Sequence, residues 1–396
     1  MKSGWQTKTL GDVCAFDKAQ GIHRDLPYVG LEHIESHTGR FIGSTEPQSA
    51  RSSTFRFSPE HILYGRLRPY LNKALAPGFD GHCSTEIFPI KPHPELTREY
   101  LLYWLLGDAT CDRINATCTG ARMPRADMNE VLSFEFPLPP LPEQQRIVGI
   151  LDEAFEGIAT AKANAEKNLQ NARALFETHL QSVFTQRGEG WVERKLGDGT
   201  MLEIIDGDRG VNYPKALDFH HEGHCLFLNT KNVRPNGFDF ASTMFITAEK
   251  DGQLRKGKLK RDDVVLTTRG TIGNVGLYSE DVPFDHVRIN SGMLIFRPNK
   301  RALLPSYLFE LLRSEIVKHQ IREQTTGAAQ PQLPIKTLVT FTIPVPTNLD
   351  NQNAIVEKLS AFEPETQHLA SIYSRKLAAL DELKKSLLDQ AFTGQL

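Results

Sequence analysis

From Glu143 to Thr185 the chain carries no proline, and apolar or small residues recur at alternating spacings of four and three: Ile147, Leu151, Ala154, Ile158, Ala161, Ala165, Asn168, Ala172, Leu175 and His179. That period of 3.5 predicts a long helix with a heptad seam. The register returns 208 residues later at Ile355, Leu359, Phe362, Thr366, Leu369, Tyr373, Lys376, Leu380, Leu383 and Leu387. Alanine in the first seam often meets a bulkier counterpart in the second, as closely interdigitating helices require. Each helix, of about 40 residues, would run roughly 60 Å. Pro364, in Phe-Glu-Pro-Glu, predicts a break or kink in the second. Elsewhere the pattern is one of short β-like runs bounded by Gly, Pro and Asn: Tyr28-Val29, Ile62-Leu63-Tyr64, Glu86-Ile-Phe-Pro, Leu226-Phe-Leu, Asp263-Val-Val-Leu-Thr-Thr and Met293-Leu-Ile-Phe. One apolar helical stripe accompanies each set, at residues 99–106 and 305–312, and both read as core packing.

These elements occur twice. Trp5-Gln-Thr-Lys-Thr-Leu-Gly-Asp12 returns as Trp191-Val-Glu-Arg-Lys-Leu-Gly-Asp198, and Thr119-Gly-Ala121 as Thr326-Gly-Ala328. Phe136-Pro-Leu-Pro139 returns as Ile343-Pro-Val-Pro346, Gln144-Gln-Arg-Ile-Val148 as Gln352-Asn-Ala-Ile-Val356, and Ser182-Val-Phe-Thr185 as Gln390-Ala-Phe-Thr393. The ends of the two copies match well and the middles poorly, as expected of one scaffold carrying two different working surfaces. The fold class is therefore α+β: two mixed α/β globular domains, at 1–142 and 188–345, each followed by a long helical segment, at 143–187 and 346–396. Each helix could pack on its own domain alone, but two equivalent units joined head to tail favour an antiparallel coiled coil.

Composition narrows the class only slightly. Hydrophobic residues make up 40% and charged residues 24%, ordinary for a folded globular chain. The net charge of −2 divides into −1, −1, +2 and −2 over the four segments, so no basic tail exists and any polyanion must meet patches on a folded surface. The N-terminal stretch lacks an apolar run, so neither a signal peptide nor a membrane span is expected, and the chain reads as cytoplasmic. Cys14, Cys83, Cys111, Cys118 and Cys225 are scattered without CxxC spacing and read as free thiols.

Catalytic chemistry finds no support in the motifs. Gly252-Gln-Leu-Arg-Lys-Gly-Lys258 follows most of a phosphate-loop pattern, but Leu259 stands where magnesium binding needs Ser or Thr. His220-His-Glu-Gly-His-Cys225 lacks a second ligand pair at zinc spacing, so a surface histidine cluster is expected and no metal. There is no Asn/Asp-Pro-Pro-Tyr/Phe motif and no glycine-rich methyl-donor loop. No catalytic residues are assigned, and a non-catalytic role follows.

Several stretches together resemble one family, the specificity subunits of type I restriction-modification enzymes. They are Leu138-Pro-Pro-Leu-Pro-Glu-Gln-Gln-Arg-Ile-Val148, its partner Ile343-Pro-Val-Pro-Thr-Asn-Leu-Asp-Asn-Gln-Asn-Ala-Ile-Val356, Thr267-Thr-Arg-Gly-Thr-Ile-Gly273 and the terminal Leu387-Leu-Asp-Gln-Ala-Phe-Thr-Gly394. Asn351-Gln352-Asn353 departs from the family's usual Glu-Gln-Gln type, so a different start to the second helix is expected. The resemblance implies that each globular part is a target recognition domain reading half of a bipartite, asymmetric double-stranded DNA site. It implies that the helices fix the spacer and dock two adenine-N6 methyltransferase subunits, with two restriction subunits as optional further partners. S-adenosylmethionine, ATP and magnesium would then sit on those partners, and this chain would hold no cofactor. A free-standing two-domain scaffold organised by a coiled coil is the alternative that affinity for duplex DNA would separate.

On that reading lysine and arginine would neutralise phosphates and a few side chains would reach base edges. The candidates in the first domain are Arg66, Arg68 and Lys73, with Arg122 and Arg125 in the repeated Thr-Gly loop. In the second they are Arg255, Lys256, Lys258, Lys260, Arg261, Arg269 and Arg322, with Gln330 and Gln332 suited to adenine. Ile150, Phe155 and Phe176, flanking the helical seam, are the candidates for docking a partner.

Overall fold

The computed structural model describes residues 4–50, 52–120, 122–325 and 332–396. The chain forms two compact units, Met1–Lys167 with Tyr373–Leu396, and Asn168–Ile372. In each, a two-stranded antiparallel ribbon ties the start of the domain to its end. Gln6–Thr9 pairs with Glu135–Leu138 in the first, and Trp191–Lys195 with Thr342–Pro346 in the second. The ribbon explains why the repeat is strongest at its edges: the repeated Trp-led and Pro-rich motifs pair with each other. A two-stranded ribbon also suits proline, which cannot donate to a neighbour on both sides.

Each domain is built round a four-stranded antiparallel sheet. The order is Cys14–Phe16, Ile87–Pro92, Ile62–Gly65, Ala74–Leu75 in the first and Leu202–Asp206, Met293–Pro298, Val264–Thr267, Val275–Leu277 in the second. Ile62, Leu63 and Tyr64 are fully buried, as are Val264, Val265 and Leu266, so the central strands read as continuous apolar runs. A smaller sheet in each domain contains one parallel pair, Tyr28–Val29 beside Gly81–Cys83 and Cys225–Leu228 beside Val287–Ile289. The helices Arg98–Leu106 and Pro305–Arg313 cover the large sheets through Tyr100, Trp104, Tyr307 and Leu311. Burial pushes the Cys14 and Cys225 thiols up to about 12, so both pack as small apolar groups.

The long helices run Leu141–Thr185 and Leu349–Thr393. Their antiparallel pairing shows within each unit: Lys162 pairs with Asp381 in the first, and His179 packs on Phe362 at 4.6 Å between ring centroids in the second. Pro364 does not break the C-terminal helix, which is continuous through it. Leu359 and Thr366, buried on either side, hold the seam across the lost backbone bond, and the Thr366 hydroxyl bonds the carbonyl of Glu363 at 2.8 Å.

The expected change at the start of the second helix is confined to its cap. Gln144 and Gln352 are fully buried and make the same clamp. The Gln144 amide nitrogen donates to the carbonyls of Glu95 and Pro139 at 2.8 and 2.9 Å, and its oxygen accepts from Thr97 N–H at 2.8 Å. Gln352 donates to the carbonyls of Ala302 and Pro346 at 3.0 and 2.9 Å and accepts from Leu304 N–H at 2.9 Å. Only the cap differs: the Asn348 side chain accepts from Asp350 N–H at 2.8 Å, whereas the first helix begins behind Pro140.

The seam departs from the sequence pattern where the helices meet the domains. Leu175 and Leu383 face solvent, 46% and 47% exposed, although both fall on heptad positions. Phe176, Leu180 and Phe184 pack on the second domain, and Leu387, Leu388, Ala391 and Phe392 on the first. The inward face there turns from the partner helix towards the globular core, which brings Lys384 inward. Burial lowers the Lys384 pKa; its ammonium donates to the His37 carbonyl at 3.0 Å and lies 5.2 Å from the Phe155 ring.

Candidate nucleic-acid interface

In both domains the loop leaving a central strand of the large sheet lies against the segment that follows the repeated Thr-Gly motif in sequence. Leu67 bridges Arg125 in the first, and Arg269 bridges Gln332 in the second. The backbone bonds correspond: Ala126 N–H donates to the Arg66 carbonyl at 2.9 Å, and Leu333 N–H to the Thr268 carbonyl at 3.0 Å. Arg66 N–H reaches the Glu86 carbonyl at 2.9 Å, and Thr268 N–H the Gly292 carbonyl at 2.8 Å. Arg68 therefore corresponds to Gly270, and both take left-handed backbone, with φ of 52° and 71°. Glycine adopts that conformation freely, whereas an L residue there costs about 1 kcal/mol. The first domain thus holds a strained arginine where the second holds glycine.

The side chains on this matched backbone differ. Glu86 accepts from Arg66 Nε at 3.0 Å and from Arg125 Nε and Nη2 at 2.9 and 2.8 Å. Burial opposes its ionisation, but hydrogen bonds from Arg125 and Arg66 outweigh it and hold the carboxyl below its ordinary range. Arg66 also lies 5.4 Å from the Phe88 ring. Gly292 occupies the place of Glu86 in the second domain, so this carboxylate clamp belongs to one copy only.

The candidate residues divide by what already holds them. Arg68 and Arg122 are exposed, and neither guanidinium has a partner among the described residues. Lys73 is committed internally, donating to the carbonyls of Leu31 and Ile34 at 2.5 and 2.9 Å, and is no free phosphate contact. Arg261 is likewise a structural clamp, stacked 4.4 Å over Tyr278 and donating to the carbonyls of Ser279 and Val282 at 2.7 and 3.0 Å. Lys258 pairs with Asp251 at 2.5 Å, which also removes it from any phosphate-loop role. Arg322 pairs with Glu315. Arg255, Lys256 and Lys260 remain exposed, Arg269 is half-buried, Gln332 is exposed, and Gln330 lies outside the described residues. Phe155 and Phe176 are not exposed docking residues: Phe155 packs edge-on against Tyr103 at 5.4 Å, and Phe176 packs at the edge of the second core under Arg313. Ile150 is half-buried.

Buried acids organise the basic loops, and no periodicity or motif in the sequence marks them. Asp208 accepts from the N–H groups of Gly210 and Arg255, both at 2.7 Å, and from that of Lys256 at 3.3 Å. Burial opposes its charge, but these bonds outweigh it and lower its pKa. Asp251 pairs with the buried Arg288, whose other donors reach the carbonyls of Lys256 and Leu254 at 2.8 and 3.0 Å. The segment 251–257 is therefore pinned from inside while its cations face out. In the histidine cluster, the His224 ring lies 4.1 Å from that of His286. Among the described residues no three His, Cys, Asp or Glu side chains are placed to hold a metal ion, and no helix is long and apolar enough to cross a membrane.

Two matched domains with unlike loop side chains, joined to paired long helices, define a duplicated architecture. The family model for the type I restriction modification DNA specificity domain matches residues 2–170 and 188–373. The chain belongs to that family. It is 30% identical over 184 residues to the type I restriction enzyme EcoDI specificity subunit of Escherichia coli, covering 46% of this chain and 40% of the relative. It is 26% identical over 296 residues to the MjaVIII specificity subunit of Methanocaldococcus jannaschii, covering 70% of this chain and 65% of the relative. The matches thus span less than two thirds of these relatives. The fold is shared, with a TM-score of 0.82 and 23% identity over 100% of this chain and 99% of the other, by a chain from a structure described as "Structural basis underlying complex assembly and conformational transition of the type I R-M system". The HsdS subunit from Thermoanaerobacter tengcongensis gives a TM-score of 0.63 at 23% identity, covering 100% of this chain and 98% of that one.

Proposed function

We propose that this chain is the DNA sequence-recognition subunit of a type I restriction-modification complex and performs no chemistry itself. The observation that carries the reading is the loop junction repeated in both domains on one backbone with different side chains. Arg68 stands against Gly270, Glu86 against Gly292, and Arg125 against Gln332. One scaffold with two unlike reading surfaces suits an asymmetric bipartite site, each domain taking one half. Arg68 and Arg122 in the first domain, and Arg255, Lys256 and Lys260 in the second, would supply phosphate contacts. The paired helices would set the spacer and dock the modification subunits. Those subunits would hold S-adenosylmethionine and methylate adenine N6, and restriction subunits would carry ATP and magnesium. The test is to co-produce the chain with its modification subunit and map methylated adenines. The expected result is one split motif with a fixed spacer; methylation without sequence restriction would reject the reading.

A further inference from the structure

In both domains the chain leaves the first strand of the large sheet through a loop that shows an aliphatic side chain to solvent. Strand register fixes the correspondence: Phe16 shares a row with Ile90 and Ile62, and Ile204 with Phe296 and Val264. Six residues beyond Phe16 stands Ile22, 66% exposed; seven beyond Ile204 stands Val211, 96% exposed, with Leu217 close behind at 94%. Single exposed apolar residues are ordinary on protein surfaces. These differ in following the same strand row in both copies, six and seven residues on, with exposed arginines or lysines on neighbouring or jointly anchored backbone.

Val211 sits between two anchored neighbours. Gly210 is fixed by Asp208, and the Asn212 side chain donates to the Gln253 carbonyl at 3.4 Å. The same Asp208 carboxylate holds the backbone of Arg255 and Lys256, whose side chains are exposed, as is that of Arg209. Ile22 follows Gly21, whose carbonyl accepts from the hydroxyls of Ser53 and Thr54 at 3.3 and 3.4 Å. It precedes His23, packed 5.4 Å from the His82 ring, and then Arg24, exposed and without a side-chain partner among the described residues. An exposed aliphatic tip beside exposed cations on anchored backbone suits a polyanion with apolar features. Duplex DNA offers this in the C5-methyl groups of thymine on the major-groove edge.

We propose that Ile22, and Val211 with Leu217, are base-contacting tips, each touching thymine methyls in the half-site read by its own domain. The assignment rests on the DNA-recognition reading above. An aliphatic tip releases no counterion, so it contributes sequence preference without salt dependence.

Ile22→Ser and Val211→Ser are to be tested in the complex with the modification subunit, by motif mapping and by binding to duplex DNA across a salt series. Each is expected to relax the methylated motif in one half only, and to weaken binding to the original site about tenfold with the salt slope unchanged. Deoxyuridine in place of the contacted thymine should reproduce the loss for the unsubstituted complex and add nothing for the variant. Thermal unfolding should not change, because both side chains are exposed. An unchanged motif, a loss uniform across sequences, or indifference to deoxyuridine at every thymine overturns the assignment. An unsubstituted complex that methylates no bipartite site would show instead that the recognition reading has failed, and the tips would fall with it.

Discussion

Phe392 in the C-terminal helix packs edge-on against Tyr100 of the first domain at 5.1 Å between ring centroids. The same contact recurs between Phe184, near the end of the central helix, and Tyr307 at 5.6 Å. In both cases the tyrosine hydroxyl donates to a carbonyl in the domain's closing ribbon, Pro137 or Pro344, at 3.2 and 2.9 Å. Each compact unit is thus assembled from a domain, the start of the helix that follows it and the far end of the other helix. Phe184 is fully buried, so Phe184→Ala is expected to cost about 3–5 kcal/mol, and the half-buried Phe392→Ala roughly half as much. Urea unfolding reads both. A stable Phe392→Ala variant with an unaltered C-terminal helix would show that this contact does not hold the helix end on the domain.

Stability should also depend on pH through Glu310. Burial raises its pKa from 4.5 to about 7, against the pull of Arg313 at 3.1 Å. Between those values the folded protein keeps a proton that the unfolded chain has released. Stability therefore falls as pH rises through this window, by up to about 3 kcal/mol, and stays lost above it. Glu310→Gln is expected to flatten that slope. Chemical denaturation at pH 5 and pH 8 measures it, and equal drops in both proteins would remove Glu310 as the cause.

Arg68 and Lys73 should separate binding from folding. Arg68→Gly exchanges a strained arginine for the residue the second domain uses, so stability should hold to within about 1 kcal/mol. Affinity for DNA should fall, and the salt slope should shrink by about 0.9 if one phosphate contact is lost. Lys73→Ala should do the reverse, losing stability by leaving the Leu31 and Ile34 carbonyls without their donor while the slope stays unchanged. Titrations at several salt concentrations, beside thermal unfolding, distinguish the two. A slope change for Lys73→Ala would contradict its structural role.

Lengthening both helices should lengthen the DNA spacer. Seven residues added to each, at paired positions near Ala165 and Leu377, preserve the heptad seam and add about 10 Å. That is about three base pairs at 3.4 Å per step. The readout is the spacing between methylated half-sites, and an unchanged spacing would refute the spacer role.

The sequence by itself determined the duplication, the long helices and their common register, because heptad spacing and paired terminal motifs are local patterns. It also carried the family resemblance, through the stretch around Gln144 and its counterpart at Gln352. It expected a break or kink at Pro364, where the helix runs on unbroken because buried contacts on either side offset the lost bond, and a changed start to the second helix, which differs only in its cap because the buried Gln352 clamp tolerates changed neighbours. It left the middles of the domains looking unrelated, although Arg68 and Gly270 share one left-handed position. Only strand register reveals that match, because backbone pairing survives the exchange of nearly every side chain. Which cations are free was likewise decided by tertiary structure. Lys73 and Arg261 read as surface charges until distant carbonyls are brought to them, and Phe155 and Phe176 read as exposed docking residues although each is half-buried against a domain. Asp208, Glu86 and the exposed tips Ile22 and Val211 carry no local signal; their roles come from neighbours that the fold alone assembles.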